Sequence, residues 1–240
     1  MKKTLLIMSG KGGVGKTTIA VNLSYFLSER KNVVGLLDAD IHGPNVLKLM
    51  GYNGQKMEIR NDKINPIQIN SNLKVVSIAG LVDDNSAIIW RGPLKHNALK
   101  QLIEDTNWGN LDYLIVDFPP GTGDEHISVS QLLKNISGAI IVSSPQQVSL
   151  FDMVKAIDFC KKTNIPIIGL IENMSGDIFG KGTIKEICKK YDIGFLGTLS
   201  LTKDVVLSGE EGKPFYLYKN KKLNEEFETI VENILKRIGE

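Results

Sequence analysis

Short apolar runs alternate with stretches of helical periodicity along most of the chain. The runs are TLLIMS (4–9), NVVGLLDAD (32–40), LKVVSIAG (73–80), YLIVDF (113–118), GAIIVSS (138–144), IPIIGLIEN (165–173) and GFLGTLSL (194–201). Between several of them, residues 16–30, 94–106, 124–135, 147–163 and 182–191 repeat apolar positions at helical spacing. Short apolar strands alternating with helices predict an α/β fold, a doubly wound and mostly parallel sheet with helices on both faces. Residues 55–70, QKMEIRNDKINPIQIN, alternate apolar and polar positions around an Asn-Asp turn and read as a small hairpin appended to the sheet.

The last segment places Leu223, Phe227, Ile230, Val231, Ile234, Leu235 and Ile238 on one helical stripe. A helix lying on a membrane carries a polar face rich in Lys and Arg. Here that face has Glu225, Glu226, Glu228 and Glu232 against Lys236 and Arg237, so docking on the protein's own core is expected. No linker, low-complexity block or internal repeat interrupts the chain. Residues 1–240 are expected to form a single domain.

Composition narrows the picture. Lys plus Arg number 29 against 27 Asp plus Glu, which gives no general reason to expect a nucleic-acid or anionic-membrane surface. Two cysteines, Cys160 and Cys188, are too few for a disulfide framework and point to a reducing compartment. The start MKKTLLIMSGKGG looks superficially like a signal peptide, but its apolar run is short and leads straight into a glycine-rich loop. A first strand is the better reading. No run approaches the ~20 apolar residues of a membrane span, and a cytoplasmic protein is expected.

The chemistry begins at GKGGVGKT, residues 10–17, which satisfies G-x-x-x-x-G-K-[ST] between an expected strand and an expected helix. Gly10, Gly12, Gly13 and Gly15 let backbone N–H groups curl around phosphates, with Lys11 and Val14 between them and Thr18 behind. Lys16 neutralises the β- and γ-phosphates, and the Thr17 hydroxyl is a Mg²⁺ ligand. Two strand ends supply carboxylates: Asp38 and Asp40 in LLDADIHGPN, and Asp117 in YLIVDFPPGTGD. One such Asp fits a strand cap equally well, whereas three beside a phosphate loop point to in-line attack of water on a γ-phosphoryl group held by Mg²⁺.

KGGVGKTT resembles the deviant Walker A motif of the SIMIBI-class ATPases, which include MinD, ParA, the nitrogenase iron protein and the Mrp/ApbC proteins. The strings LLDADIHGPNVLKLMG, WRGPLKHNALKQLIEDTNWGNLDYLIVDFPPGTGDEHISVSQ, ENMSG and IFGKG select the last group, an Mrp-type or iron–sulfur cluster carrier ATPase. With the loop they cover most of residues 5–182 in order, and GFLGTLSL and GKPF extend the match more weakly.

The resemblance implies an ATP-dependent homodimer in which Lys11 reaches phosphates bound by the other subunit. It makes Asp40 the residue that orients the attacking water, and it places Asp38 and Asp117 near Mg²⁺. It assigns Asn173 to the adenine edge, although a strand-end turn also explains an Asn there. It likens Asp40–Asn45 and Asp117–Asp124 to switches that respond to the γ-phosphate.

The chain departs from that family in one place. Many Mrp-type proteins carry C-x-x-C between ENMS and IFG, and here only Gly176 and Asp177 separate Ser175 from Ile178. Cys160 and Cys188 lie far apart on two expected helices and read as buried structural thiols. His42, His96 and His126 show no metal-ligand spacing; His42 falls in the first switch-like segment and His126 just past the second, where ordinary loop histidines explain them as well. An iron–sulfur cluster therefore lacks its usual ligands. The expected function is an ATPase that carries or assembles iron–sulfur clusters for a client protein, slow to hydrolyse without a partner. The alternatives are a positioning or scaffold ATPase like MinD or ParA, and a nucleotide-gated binding module with negligible hydrolysis.

Overall fold

In the computed structural model, which describes residues 2–81 and 92–240, the apolar runs become strands enclosed on both faces. The strands are β1 (Lys3–Met8), β2 (Val34–Asp38), β3 (Glu58–Arg60), β4 (Lys63–Asn65), β5 (Ile67–Asn70), β6 (Leu73–Ser77), β7 (Tyr113–Asp117), β8 (Ile136–Ser143), β9 (Ile167–Ser175) and β10 (Phe195–Ser200). The helices are α1 (Lys16–Glu29), α2 (Val46–Leu49), α3 (Gly92–Glu104), α4 (Asp124–Leu132), α5 (Gln147–Lys162), α6 (Thr183–Tyr191), α7 (Lys203–Glu211) and α8 (Lys221–Arg237). Consecutive residues Leu5 to Met8 of β1 and Ile140 to Val142 of β8 have no exposed surface. Successive side chains of a strand point to opposite faces, so both faces of the sheet are covered. Trp90 and Arg91 of the WRGP string lie outside the described residues.

The main sheet has eight strands in the order β10-β9-β8-β1-β7-β2-β6-β5, parallel except for the edge strand β5. The chain leaves β1 for β2 and later returns to insert β7 between them. That insertion sets Asp38 of β2 opposite Asp117 of β7 in register, and Ile7 of β1 opposite Asp117 on its other side. Two carboxylates far apart in sequence thus become neighbours at the carboxyl edge of the sheet, where ligands of open α/β sheets bind.

The hairpin expected over 55–70 divides in two. Strands β3 and β4 form their own antiparallel ladder around Asn61 and Asp62, whose φ angles of 51° and 58° suit a tight hairpin turn. The unit is not appended to the main sheet as an extra pair of strands; only β5 joins that sheet, antiparallel to β6. Pro66 separates the two, since it has no N–H to extend a ladder. Helix α4 stops at Leu132, before the expected 135, because Leu133 is extended and Asn135 takes a positive φ of 57°. Helix α7 escapes sequence reading: Ser208 is its one buried residue, so it carries no apolar stripe.

The C-terminal helix docks as its periodicity predicts. Leu223, Phe227, Ile230, Val231 and Ile234 of α8 are buried, and Asn220 caps the helix by accepting from the Leu223 N–H. Phe227 meets Phe26 and Phe215 edge to face, with centroids 6.0 and 5.1 Å away. Phe227→Ala is expected to destabilise the protein by about 3–5 kcal/mol. A denaturant titration showing a loss below about 1 kcal/mol would contradict this packing.

Candidate functional site

The site is built where β1 ends. Ser9 to Gly15 turn the chain into α1, and the Ser9 hydroxyl donates to the Lys11 carbonyl at 2.9 Å. Gly15 begins α1 with a φ of 82°, and a Cβ there would come within 2.2 Å of Asn173 Nδ2. Only glycine satisfies both demands. Gly10 is required for a different reason: a Cβ would lie 1.8 Å from the Asp152 carbonyl of α5. The loop therefore rests against the backbone of α5, a constraint that the phosphate-loop pattern does not announce. Helix α1 has no acidic residue in its first turn, so the positive end of its dipole and its unpaired N–H groups are left for an anion.

Lys16 and Thr17 converge on one carboxylate. Lys16 Nζ lies 2.6 Å from Asp117 Oδ1, and Thr17 Oγ1 donates to Asp117 Oδ2 at 2.8 Å. Both charged groups are almost fully enclosed, Lys16 at 6% and Asp117 at 1% exposure. Beside them, Asp38 accepts from the Asp40 N–H, the Val46 N–H and the Ser77 hydroxyl, at 3.2, 3.2 and 3.0 Å. Burial pushes the Asp38 carboxyl up to about 7, the Asp117 charge adds to this, and Lys16 opposes it. Burial also raises Asp117, against the pull of Lys16 and Thr17.

The remaining expected residues surround this centre. The Asp40 carboxylate accepts from the N–H groups of His42 and Gly43 at 3.2 and 3.1 Å, so it organises the loop after β2. Asn173 lies under the phosphate loop, donating from Nδ2 to the Val14 carbonyl at 2.8 Å. Lys11 is exposed at the rim, and among the described residues its ammonium has no partner. Gly121, in the loop after β7, donates to the Ser9 carbonyl at 3.1 Å and ties that loop to the phosphate loop.

Other residues were not legible from the motifs. Ser77, on β6, holds Asp38. Glu125 draws together Lys95 of α3 and His42, although neither spacing nor periodicity links these three positions. His126 is a core residue rather than a loop one, packed between the rings of Phe118 and Phe159 at 5.4 and 5.6 Å. Cys160 and Cys188 sit on α5 and α6, both buried. Burial pushes their thiols up to about 12 and about 11, far from the thiolate that binds metals. Among the described residues, no three His, Cys, Asp or Glu side chains converge as a metal site. Nor is any helix among them long and apolar enough to cross a membrane.

Lys16 and Thr17, on a helix that opens from a glycine loop, share the aspartate of a neighbouring parallel strand. P-loop NTPases gather these same three groups around the phosphates and metal of a nucleotide, and the protein is of that class. The family model for the ParA group, described as the NUBPL iron-transfer P-loop NTPase, matches residues 1–235, and the chain belongs to this family. It is 42% identical to the iron-sulfur cluster carrier protein of Methanocaldococcus jannaschii, over 99% of this chain and 86% of that protein. The iron-sulfur cluster carrier protein of Saccharolobus solfataricus is 38% identical, over 98% and 84%.

Solved structures agree on the fold. A nucleotide-binding protein from Archaeoglobus fulgidus in complex with ADP superposes with a TM-score of 0.77 at 31% identity, over 90% of this chain and 88% of that one. The septum site-determining protein MinD of Pyrococcus horikoshii, complexed with Mg-ADP, gives 0.79 at 23% identity, over 100% and 98%.

Proposed function

We propose that this chain is a Mg²⁺-dependent ATPase that works as a homodimeric switch and carries iron–sulfur clusters to a client protein. The observation that carries the reading is the buried Lys16–Asp117–Thr17 cluster at the head of α1. In the reaction, a water oxygen bonds to the γ-phosphorus, the bond to the β–γ bridging oxygen breaks, and ADP and phosphate leave. Gly10 to Thr18 hold the phosphates through backbone N–H groups, with Lys16 balancing their charge. Asp40 orients the water.

The residues present fit a magnesium ion: Thr17 offers a hydroxyl against Asp117, and Asp38 and Asp117 offer carboxylates that face each other in register. These three would hold Mg²⁺, the latter two through water, and the ion supplies neutralisation of phosphate charge. Asn173 would meet the adenine edge through its Oδ1, its Nδ2 being committed to the Val14 carbonyl. Lys11, exposed and unpaired among the described residues, is the group that a second copy of the chain receives at its phosphates. Hydrolysis is slow until a partner engages.

The names of the relatives support a cluster as cargo. The cluster is held by groups other than Cys160 and Cys188, or shared with the client, because both thiols are in the core. A second reading, a positioning ATPase without a cluster, draws on the short turn at Gly176–Gly180. That turn closes on itself by a pair of backbone hydrogen bonds and leaves no room in sequence for C-x-x-C. Anaerobic reconstitution with iron counting and visible absorption separates the two. A cluster that survives Cys160→Ser and Cys188→Ser is expected, and a chain that takes up no iron with or without ATP supports the second reading.

A further inference from the structure

Three segments distant in sequence meet at one carboxylate beside the site. Glu125, in the first turn of α4, has its Oε1 2.7 Å from Lys95 Nζ of α3 and 2.9 Å from His42 Nε2 in the loop after β2. The Lys95 and Glu125 side chains are only 20% and 21% exposed, so this pair is sheltered from the screening that weakens open surface pairs. His42 approaches from the outer side. Burial pushes the Glu125 carboxyl up, but Lys95 and His42 outweigh it and hold it below its ordinary value.

His42 is not free to move independently of Asp40. The N–H groups of His42 and Gly43 both donate to Asp40 Oδ1, so the imidazole is fixed at Glu125 while the backbone of the same residue aims the Asp40 carboxylate. Upstream, the Asp40 N–H is anchored on Asp38. Downstream of Asp117, the loop leading to Glu125 is held to the phosphate loop through Gly121 and Ser9. Glu125 therefore joins the segment that carries Asp40 to the segment that follows Asp117, and Lys95 braces both from a third element, its Nζ lying 2.5 Å from His42 Nε2 as well as against Glu125.

We propose that Glu125, held by Lys95, is a positioning residue for ATP hydrolysis: through His42 it sets the direction of the Asp40 carboxylate and couples residues 40–45 to residues 118–125. The proposal rests on the ATPase reading above, in which Asp40 orients the water. Glu125 itself touches no substrate. Misaiming a group that orients a reactant costs rate rather than binding, because the phosphates are held elsewhere, by the loop and Lys16.

The test uses the full chain and the near-isosteric variant Glu125→Gln, with Lys95→Arg as the conservative control. Two readouts are taken: amide hydrogen exchange at His42 and Gly43 without nucleotide, and steady-state ATP hydrolysis. Glu125→Gln is expected to speed exchange at both amides several-fold. It is also expected to lower kcat by about tenfold to about a hundredfold with KM for ATP unchanged within about twofold. Lys95→Arg keeps both near the unaltered values. The His42→Ala/Glu125→Gln double variant is expected to be no slower than the worse single one, since both act through one linkage.

Unchanged exchange at His42 and Gly43, an unchanged kcat, a loss confined to KM, or additive losses in the double variant would each overturn the proposal. The two readings fail differently. An unaltered chain that hydrolyses no ATP refutes the ATPase reading, and this positioning role with it. An active enzyme insensitive to Glu125→Gln refutes the positioning role alone.

Discussion

Lys16→Ala is expected to abolish Mg²⁺-dependent ATP hydrolysis and to reduce nucleotide binding below detection at micromolar protein. The ammonium is the one side-chain cation enclosed with Asp117 at the head of α1, and nothing else described there replaces its charge against phosphate. The substitution also strips a buried carboxylate of its ion-pair partner, which costs about 3–5 kcal/mol. Asp117 then lies further above its unfolded value than before. The folded state binds more protons than the unfolded one between those two values, so the deficit grows as pH rises toward neutrality and shrinks on acidification. Folding and binding are separated by adding Asp117→Asn, which removes the orphaned charge while Thr17 still donates. The double variant should recover most of the thermal stability and none of the ATP binding, as followed by calorimetry at pH 5.5 and 7.5. Full ATP binding by Lys16→Ala would remove the basis of the nucleotide reading.

Lys11→Ala should have the opposite profile. Lys11 is exposed and has no partner among the described residues, so its loss is expected to change stability by less than about 0.5 kcal/mol. ATP binding by the single chain should persist, since Lys16 and the loop backbone are untouched. What should disappear is the dimer formed with a non-hydrolysable ATP analogue, measured by light scattering in an Asp40→Ala background that prevents turnover. A dimer that forms equally well without the Lys11 side chain would show that it does not reach the other copy's phosphates. A chain that is dimeric without nucleotide calls for a comparison of ATP hydrolysis with Asp40 unaltered, where Lys11→Ala should be inactive.

The parts of the site legible in the sequence are those made by neighbours along the chain. Gly10 to Thr18 declare themselves because glycine, lysine and threonine at that spacing have one common use, between a strand and a helix. The stripe from Leu223 to Ile234 declares a docked helix because burial repeats with the helical period. Even so, the glycines carry constraints that no motif shows. Gly10 is small to admit the backbone of Asp152, and Gly15 to admit the side chain of Asn173. Helix α7 and the separation of β3–β4 from the main sheet stayed hidden because little of either is buried, and periodicity records burial.

Residue pattern alone determined that a parallel sheet would form, that its first strand would open into a phosphate loop, and that Asp38, Asp40 and Asp117 would stand at strand ends. Which strand ends face each other was decided by the tertiary structure. Inserting β7 between β1 and β2 put Asp117 on Lys16 and beside Asp38, and packing α3 against α4 put Lys95 on Glu125 within reach of His42. Backbone geometry and side-chain period act over a few residues and are written locally. The order of strands follows from long-range burial of whole faces, and the electrostatics of the site follow from that order.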